Sequence, residues 1–350
     1  MQLTGKRILV TGGTGSLGTT LVRKLMESYC GEPESVTVFS RDEDKQHTMR
    51  LRYDAETRDQ ARGNGSHTRP LLNFRLGDVR DVASVAAVLR DADVVFHAAA
   101  LKQVPSCEYA PTQAVMTNVL GASNVVRAIA EQAPQVELVV GISTDKACEP
   151  VNVMGMTKAL QERILIEGNL QCRNTRFVCV RYGNVIASRG SVIPIFVRQI
   201  QEGGPVTITD GEMTRFLITL DQAVDTIMAG VRTALPGETY VPRIPAARMV
   251  DVARALMGDR EVPILTRGVR PGEKIHEVLV SKVERLRTIE RDGHYAIAPL
   301  LPEVDPAAVT TPVLEDEYTS RDVTYDVSAL RELLAEYVVG SAYAADGLRH

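Results

Sequence analysis

Residues 143–158 read STDKACEPVNVMGMTK, and several of them can move protons. Asp145 and Lys146 set a carboxyl group beside an amine. A carboxylic acid whose pKa is raised can protonate a departing hydroxyl. An amine whose pKa is lowered, by burial or by a nearby positive charge, can take a proton from carbon. An adjacent acid and base with separated pKa values is what elimination of water needs. Thr144 adds a hydroxyl, too weak a base to hold a proton but able to relay one, and Ser143 is a second such hydroxyl. Lys158 stands four residues beyond Met154, on the same face of an expected helix. Methionine can neither give nor accept a proton, and in a helix it usually fills core. In isolation, TDK could equally be an exposed turn with a local ion pair, so its position in the fold decides.

The surrounding pattern alternates strand and helix. KRILVTG, SVTVFS, LNFRLGD, ADVVFHAA, VELVVGIS and TRFVCVRYGNV read as six strands. Helices are expected near Ser16–Tyr29, Asp42–Thr57, Val82–Arg90 and Thr112–Glu131. ARGNGSHTRP, between the second helix and third strand, reads as a mobile polar loop. Buried apolar strands alternating with amphipathic helices predict an α/β fold, a Rossmann-like doubly wound parallel sheet. After Asn184 the rhythm loosens and prolines and glycines multiply, with helices expected at Asp221–Arg232 and Val250–Met257. Residues 1–184 are therefore read as a dinucleotide-binding domain, to which some later segments return. Residues 185–340 are read as a smaller C-terminal α/β substrate lobe with a terminal helix, followed by a frayed tail. STDK follows the fifth strand and HAAALKQVP the fourth. Carboxyl ends of parallel strands are where such sheets bind ligands.

TGGTGSLG follows the first strand and opens the first helix. Gly12, Gly15 and Gly18 keep three-residue spacing, and Gly13 adds a GxGxxG reading. Glycines permit the tight turn and close approach of a pyrophosphate, and the helix N-terminus supplies amide donors. Thr14, Ser16 and Leu17 belong to the same loop. At the end of the second strand, where NAD-binding versions carry an acid, stand Ser40 and Arg41, with Lys45 one turn on. A hydroxyl and a guanidinium suit a 2′-phosphate and favour NADP; Asp42 keeps NAD as the alternative. Asp78 is read either as an adenine contact or as a turn residue. Val79 and Ala98, Ala99 and Ala100 complete the expected cofactor set.

Composition excludes several classes. The 350 residues carry a net charge of -4, 44% hydrophobic residues and no tryptophan, so neither nucleic acid nor an anionic membrane is an expected partner. No signal peptide and no membrane-length apolar run are read, and the five cysteines lack CxxC pairing. Reduced thiols in the cytoplasm are expected. Cys148 and Cys107 lack a basic partner in sequence, which argues against a catalytic thiol. No metal-ligand spacing is present.

The blocks SRDEDKQ, HAAALKQVP, STDKA, RYGNVIASRGSVIPIF, ITDGEMTRFLITLDQAV and GVRPGEKIHEVL run over most of residues 5–300. Together they resemble the extended short-chain dehydrogenase/reductases, and within them the UDP-N-acetylglucosamine 4,6-dehydratases of polysaccharide biosynthesis. The EYTSRDVTYDVSALRELL segment is similar to the tail of capsule-type members. The resemblance implies a lyase that oxidises C4, removes water across C5 and C6, and returns the hydride to C6, with inversion at C5 weakly favoured. Lys146 is then the C5 base, Asp145 the C6 acid, and Lys158 a ligand of the nicotinamide ribose. Relatives commonly have tyrosine at the Met154 position, though some active ones have methionine. Thr144 is the first candidate to relay the C4 hydroxyl proton toward Lys158, Asp145 or water. Lys102, Asn184, Arg189, Ser191, Arg215, Arg270 and Glu273 are implied on the UDP-sugar side, Asn118 as a residue ordering the centre, and His276 as a helix residue without a duty. A homo-oligomer is implied. The alternatives are an NDP-sugar 4-epimerase, which needs no C5 base or C6 acid, and a non-catalytic NADP-binding sensor or scaffold.

Overall fold

A computed structural model describes residues 1–61, 71–186, 191–304, 311–322 and 325–337. The predicted polar loop from residue 62 onward, Arg189 and the tail lie outside the described residues.

The six apolar runs form parallel strands: β1 (Arg7–Thr11), β2 (Ser35–Ser40), β3 (Leu71–Leu76), β4 (Val94–His97), β5 (Leu138–Ile142) and β6 (Arg176–Val180). Their spatial order is β3-β2-β1-β4-β5-β6. β1 pairs with β2 on one side and β4 on the other. That reversal of direction opens a crevice at the strands' carboxyl ends.

Strand side chains alternate between two cores. Ile8 and Val10 join one core with Leu21 and Leu25 of α1 (Ser16–Met26). α2 (Glu43–Ala61) adds Met49 and Tyr53 to that face. Leu9, Val95 and Val139 point the other way, against α3 (Val82–Leu89) and two later helices. Burial on both faces is why these strands read as unbroken apolar runs.

The helix expected over Thr112–Glu131 is not regular. After α4 (Val104–Tyr109) the chain forms α5 (Pro111–Ala114), a π-helical turn (Val115–Leu120), and α6 (Gly121–Gln132). A π turn is held only where side chains stabilise it. Here Asn118 accepts from Leu101 N at 2.8 Å and donates to Leu101 O at 3.0 Å and to Thr157 Oγ1 at 3.0 Å. Asn118 therefore joins the loop after β4 to α7 (Val153–Gln171).

The sixth predicted strand breaks after Val180. β7 (Asn184–Val185) belongs to a second sheet. Gly183 makes the crossing possible, because a Cβ there would lie 2.4 Å from Phe216 Cβ. α8 (Val192–Gln201), β8 (Val206–Ile208) and β9 (Thr214–Ile218) follow. α9 (Leu220–Thr233) then contributes Val224 and Ile227 to the α1 side of the main sheet. β10 (Thr239–Pro242) joins that sheet parallel to β6. β11 (Ala246–Arg248), α10 (Met249–Met257), β12 (Ile264–Thr266) and β13 (Val278–Val280) come next. β14 (Thr288–Arg291) and β15 (His294–Ile297) return antiparallel and complete a nine-stranded sheet among the described residues. β16 (Tyr318–Thr319) pairs with β13, and α11 (Val327–Leu333) packs Leu330 into a separate core with Phe196, Leu217 and Leu256. Among the described residues no helix is long and apolar enough to cross a membrane.

Candidate active site

A crevice of about 1550 Å³ runs from the glycine loop, past the ends of β4 and β5, to β9 and the 270–277 segment. The glycines divide the work at one end. A Cβ on Gly12 would lie 2.8 Å from Ala99 Cα, and one on Gly18 would lie 2.5 Å from Gly12 O. Those two positions are closed by packing. A Cβ on Gly15 meets only Gly12 O, at 3.3 Å, and otherwise enters the crevice. Gly15 is also the N-cap of α1 and offers no side chain to the first-turn amides. A dinucleotide pyrophosphate fits that cradle. Gly15→Ala is expected to fold but to bind nicotinamide dinucleotide at least about ten-fold more weakly, a difference of about 1.4 kcal/mol, by calorimetric titration. Unchanged affinity would place the pyrophosphate elsewhere.

Thr14, Ser16, Leu17, Ser40, Arg41, Lys45, Asp78, Val79 and Ala98–Ala100 all line the same crevice. The Asp42 carboxylate accepts from Lys45 N at 3.0 Å and from Lys45 Nζ. The acid that would favour NAD is thus paired, and the Arg41 side chain stays half-exposed, 3.8 Å from Asp78. Burial opposes ionisation of Asp78, but the Arg80 guanidinium, at 2.8 and 2.6 Å, outweighs it and holds that carboxyl below its usual range.

At the centre, Thr144 caps the short 3-10 turn Asp145–Ala147. Its hydroxyl donates to Asp145 Oδ1 at 2.9 Å. Lys146 Nζ donates to Asp145 Oδ1 at 3.0 Å and to Asn184 Oδ1 at 3.2 Å. Asp145 is fully buried, and its Oδ2 has no hydrogen-bond partner. Asp145, Lys146 and Thr144 therefore form one cluster. The expected direction of the Lys146 shift is corrected: burial lowers its pKa, but Asp145 and Glu277 outweigh burial and raise it. In this state Lys146 is an ammonium.

Lys158 is also buried, and donates to Ile142 O and to Gln161 Oε1, the latter at 2.7 Å. Burial pushes its pKa down to about 8, against the pull of Glu162. Of the relay routes open to Thr144, the observed one leads to Asp145. Ser143 instead donates to Glu162 at 2.5 Å. Met154 packs with Cys107 and Ala114 and lines the crevice as an apolar wall. Two phenols line the crevice: Tyr109 is exposed, and burial raises the pKa of Tyr182, the wrong direction for a tyrosinate base. Burial likewise raises the Cys107 and Cys148 thiols.

On the far side, Lys102, Asn184, Ser191, Arg215, Arg270 and Glu273 line the crevice. Arg270 is exposed at its rim, 3.9 Å from Glu273. Arg215 is buried, and its terminal nitrogens donate to the carbonyls of Thr214, Ile275 and Lys274 at 2.7–3.1 Å. That geometry braces β9 against the 274–275 segment. His276 lies outside any helix and bonds Thr214 Oγ1 at 2.8 Å. Ser191 Oγ is buried without a partner. Sequence reasoning missed Glu277, whose only sequence signal is a carboxylate at the edge of an apolar strand. It also missed Thr117, whose buried hydroxyl lines the crevice unpartnered. Among the described residues no group of histidine, cysteine and acidic side chains is placed to hold a metal ion.

A doubly wound sheet, a glycine cradle at its switch point and a paired acid and amine after the fifth strand define a Rossmann-type short-chain dehydrogenase/reductase fold. The family model described as "Polysaccharide biosynthesis protein" matches residues 8–299, and the chain belongs to that family. A UDP-N-acetylglucosamine 4,6-dehydratase (inverting) from Campylobacter jejuni is 37% identical, over 97% of this chain and 92% of its own. A UDP-glucose 4-epimerase from Rickettsia canadensis is 41% identical, over 83% of this chain and 82% of its own. Among solved structures, Pen from Bacillus thuringiensis matches with a TM-score of 0.82 and 32% identity, covering 96% of this chain and 98% of that one. The resemblance read from the sequence is borne out.

Proposed function

We propose that this chain is an NADP-dependent UDP-N-acetylglucosamine 4,6-dehydratase that inverts C5 and serves surface-polysaccharide synthesis in the cytoplasm. The observation that carries the reading is the Asp145–Lys146 pair, bridged at 3.0 Å, with Lys146 on the crevice wall and Asp145 buried directly behind it. The 37% identity to an inverting dehydratase supports it. Residues 1–184 would hold the dinucleotide and 185–340 the UDP-sugar, with later strands completing the main sheet. A homo-oligomer is part of the same proposal.

The glycine cradle and Lys158 would hold the dinucleotide, with Arg41 and Ser40 at a 2′-phosphate. When bound, the nicotinamide supplies the hydride acceptor for C4 and the donor for C6. Thr144 passes the C4 hydroxyl proton to Asp145, its observed partner. Asp145 gives that proton to the departing C6 hydroxyl. Lys146, after losing its ammonium proton to solvent, takes the C5 proton as water leaves, and a proton is added to the opposite face of C5, as inversion requires, when the hydride returns to C6. Met154 offers no competing group and keeps the wall apolar. Lys102, Ser191, Arg270 and Glu273 are assigned to the nucleotide sugar, Arg189 on sequence alone, and Arg215 through its bracing of the 274–275 segment.

Incubation with UDP-N-acetylglucosamine and NADP tests the reading. The product should be lighter by one water, with proton NMR reporting inversion at C5. The 41% identity to an epimerase keeps that reaction as the second reading, and unchanged mass with C4 inverted would establish it. Thr144→Val is expected to abolish reduction of the cofactor by the sugar. Near-normal turnover in that variant would remove threonine from the mechanism.

A further inference from the structure

Glu277 is a second carboxylate at the centre, beside Asp145. It lies just before β13, is 3% exposed, and lines the crevice. Its backbone is clamped by the strand partner: Glu277 N donates to Ser320 Oγ at 2.9 Å, and Ser320 N donates to Glu277 O at 2.8 Å. Its side chain lies among three cations. Oε1 is 3.7 Å from Lys146 Nζ and 3.8 Å from Arg215 Nε. Oε2 is 3.9 Å from Lys274 Nζ and has no hydrogen-bond partner. A buried carboxylate with an unmet oxygen is costly. Were its task only to neutralise arginine and lysine, direct hydrogen bonds would serve better. Instead it stands off from each cation, facing the same ammonium as Asp145.

We propose that Glu277 is a positioning residue for the elimination: its carboxylate holds Lys146 beside Asp145 and sets when that amine can act as a base. The proposal rests on the dehydratase reading for its role in catalysis, but not for its effect on Lys146. Two carboxylates flank Lys146, one from its own turn and one from the distant 277 position. Both favour the ammonium. Arg215 on β9 opposes them, and Lys274 adds a further positive charge beside Glu277. On the α7 side stand Lys158, whose contacts are to Ile142 and Gln161, and Glu162, which Arg181 engages. Loss of the Glu277 charge therefore leaves Lys146 with one carboxylate and an unbalanced Arg215. Both changes favour the free amine.

The test compares the wild type with Glu277→Gln. Lys146 opens on the crevice, so its acylation by an amine-reactive ester can be followed by mass spectrometry as a function of pH. The labelling midpoint should fall by about one pH unit in the variant. The rising limb of kcat against pH should fall with it, while KM for UDP-N-acetylglucosamine changes little. A merely structural role would lower amplitude and leave both midpoints in place, and that result overturns the proposal. A midpoint that moves without the kcat limb would overturn the catalytic part. Should Glu277→Gln not fold, Glu277→Asp, which withdraws the charge from Lys146, should shift both midpoints the same way by less; no shift overturns the proposal. If the wild type releases no dehydrated sugar, the dehydratase reading fails, while labelling still judges Glu277.

Discussion

Lys146→Arg is expected to stop dehydration while leaving the first oxidation in place. Arginine keeps a positive charge near Asp145 and Glu277, 3.0 and 3.7 Å from Lys146 Nζ, so neither buried carboxylate is stripped of its counter-ion. A guanidinium does not lose its proton in a protein, so the variant has no base at that position. Loss of a positioned general base costs roughly 10²–10⁴ in rate. With UDP-N-acetylglucosamine, the near-ultraviolet absorbance of reduced nicotinamide should rise and persist, because the hydride has no C6 acceptor to return to. No sugar lighter by one water should form. Thr144→Val fails one step earlier, with no such absorbance, so the pair of variants orders the proton transfers. Normal turnover in Lys146→Arg would put the C5 base on another residue.

Features set by neighbours in sequence were legible, and those set by distant segments were not. The cradle could be read because Gly12, Gly15 and Gly18 sit between an apolar strand and a helix, and each glycine's duty is local. Thr144, Asp145 and Lys146 could be read for the same reason. The direction of the Lys146 shift could not, because burial predicts a lowered value and it is outweighed by Asp145 acting together with the distant Glu277. Arg215 looked like a phosphate clamp, since a lone arginine in a loop-rich lobe does not reveal that carbonyls of 274 and 275 will take its donors. The π turn escaped because hydrophobic spacing over Thr112–Glu131 suits an ordinary helix. Its cause is a hydrogen bond from Asn118 to the loop after β4. Likewise β14 and β15 were not legible, because only pairing through the distant β10 places them in the main sheet.

The active turn also hangs on a buried ionic lattice, and Arg181→Met is expected to break it. Arg181 is 2% exposed. Its guanidinium holds Glu162 at 3.0 and 2.7 Å, Glu284 at 2.9 and 3.0 Å, and Leu279 O at 2.8 Å. Ser143 donates to Glu162, and Cys148 donates to Glu284 at 3.4 Å, so both flanks of the Asp145–Ala147 turn are tied to it. Methionine fills similar space but leaves Glu162 buried without its guanidinium and Glu284 with only Arg287, 3.9 Å away, which costs about 3–5 kcal/mol. The loss should carry a pH signature. Burial alone would raise the Glu284 pKa, yet Arg181 holds it at about 2, below its ordinary value of 4.5. A depressed carboxylate pKa contributes stability that is full above the unfolded value and is lost as pH falls toward the folded one. Without Arg181, burial is opposed only by the Ser281 amide and the more distant Arg287, so the folded Glu284 pKa rises. The gap between wild type and variant, measured by urea unfolding, should therefore be widest near neutrality and narrow as pH falls from 4.5 toward 2. A gap independent of pH would mean that Arg181 contributes packing rather than charge. The lattice could then not be what fixes the Ser143–Cys148 turn.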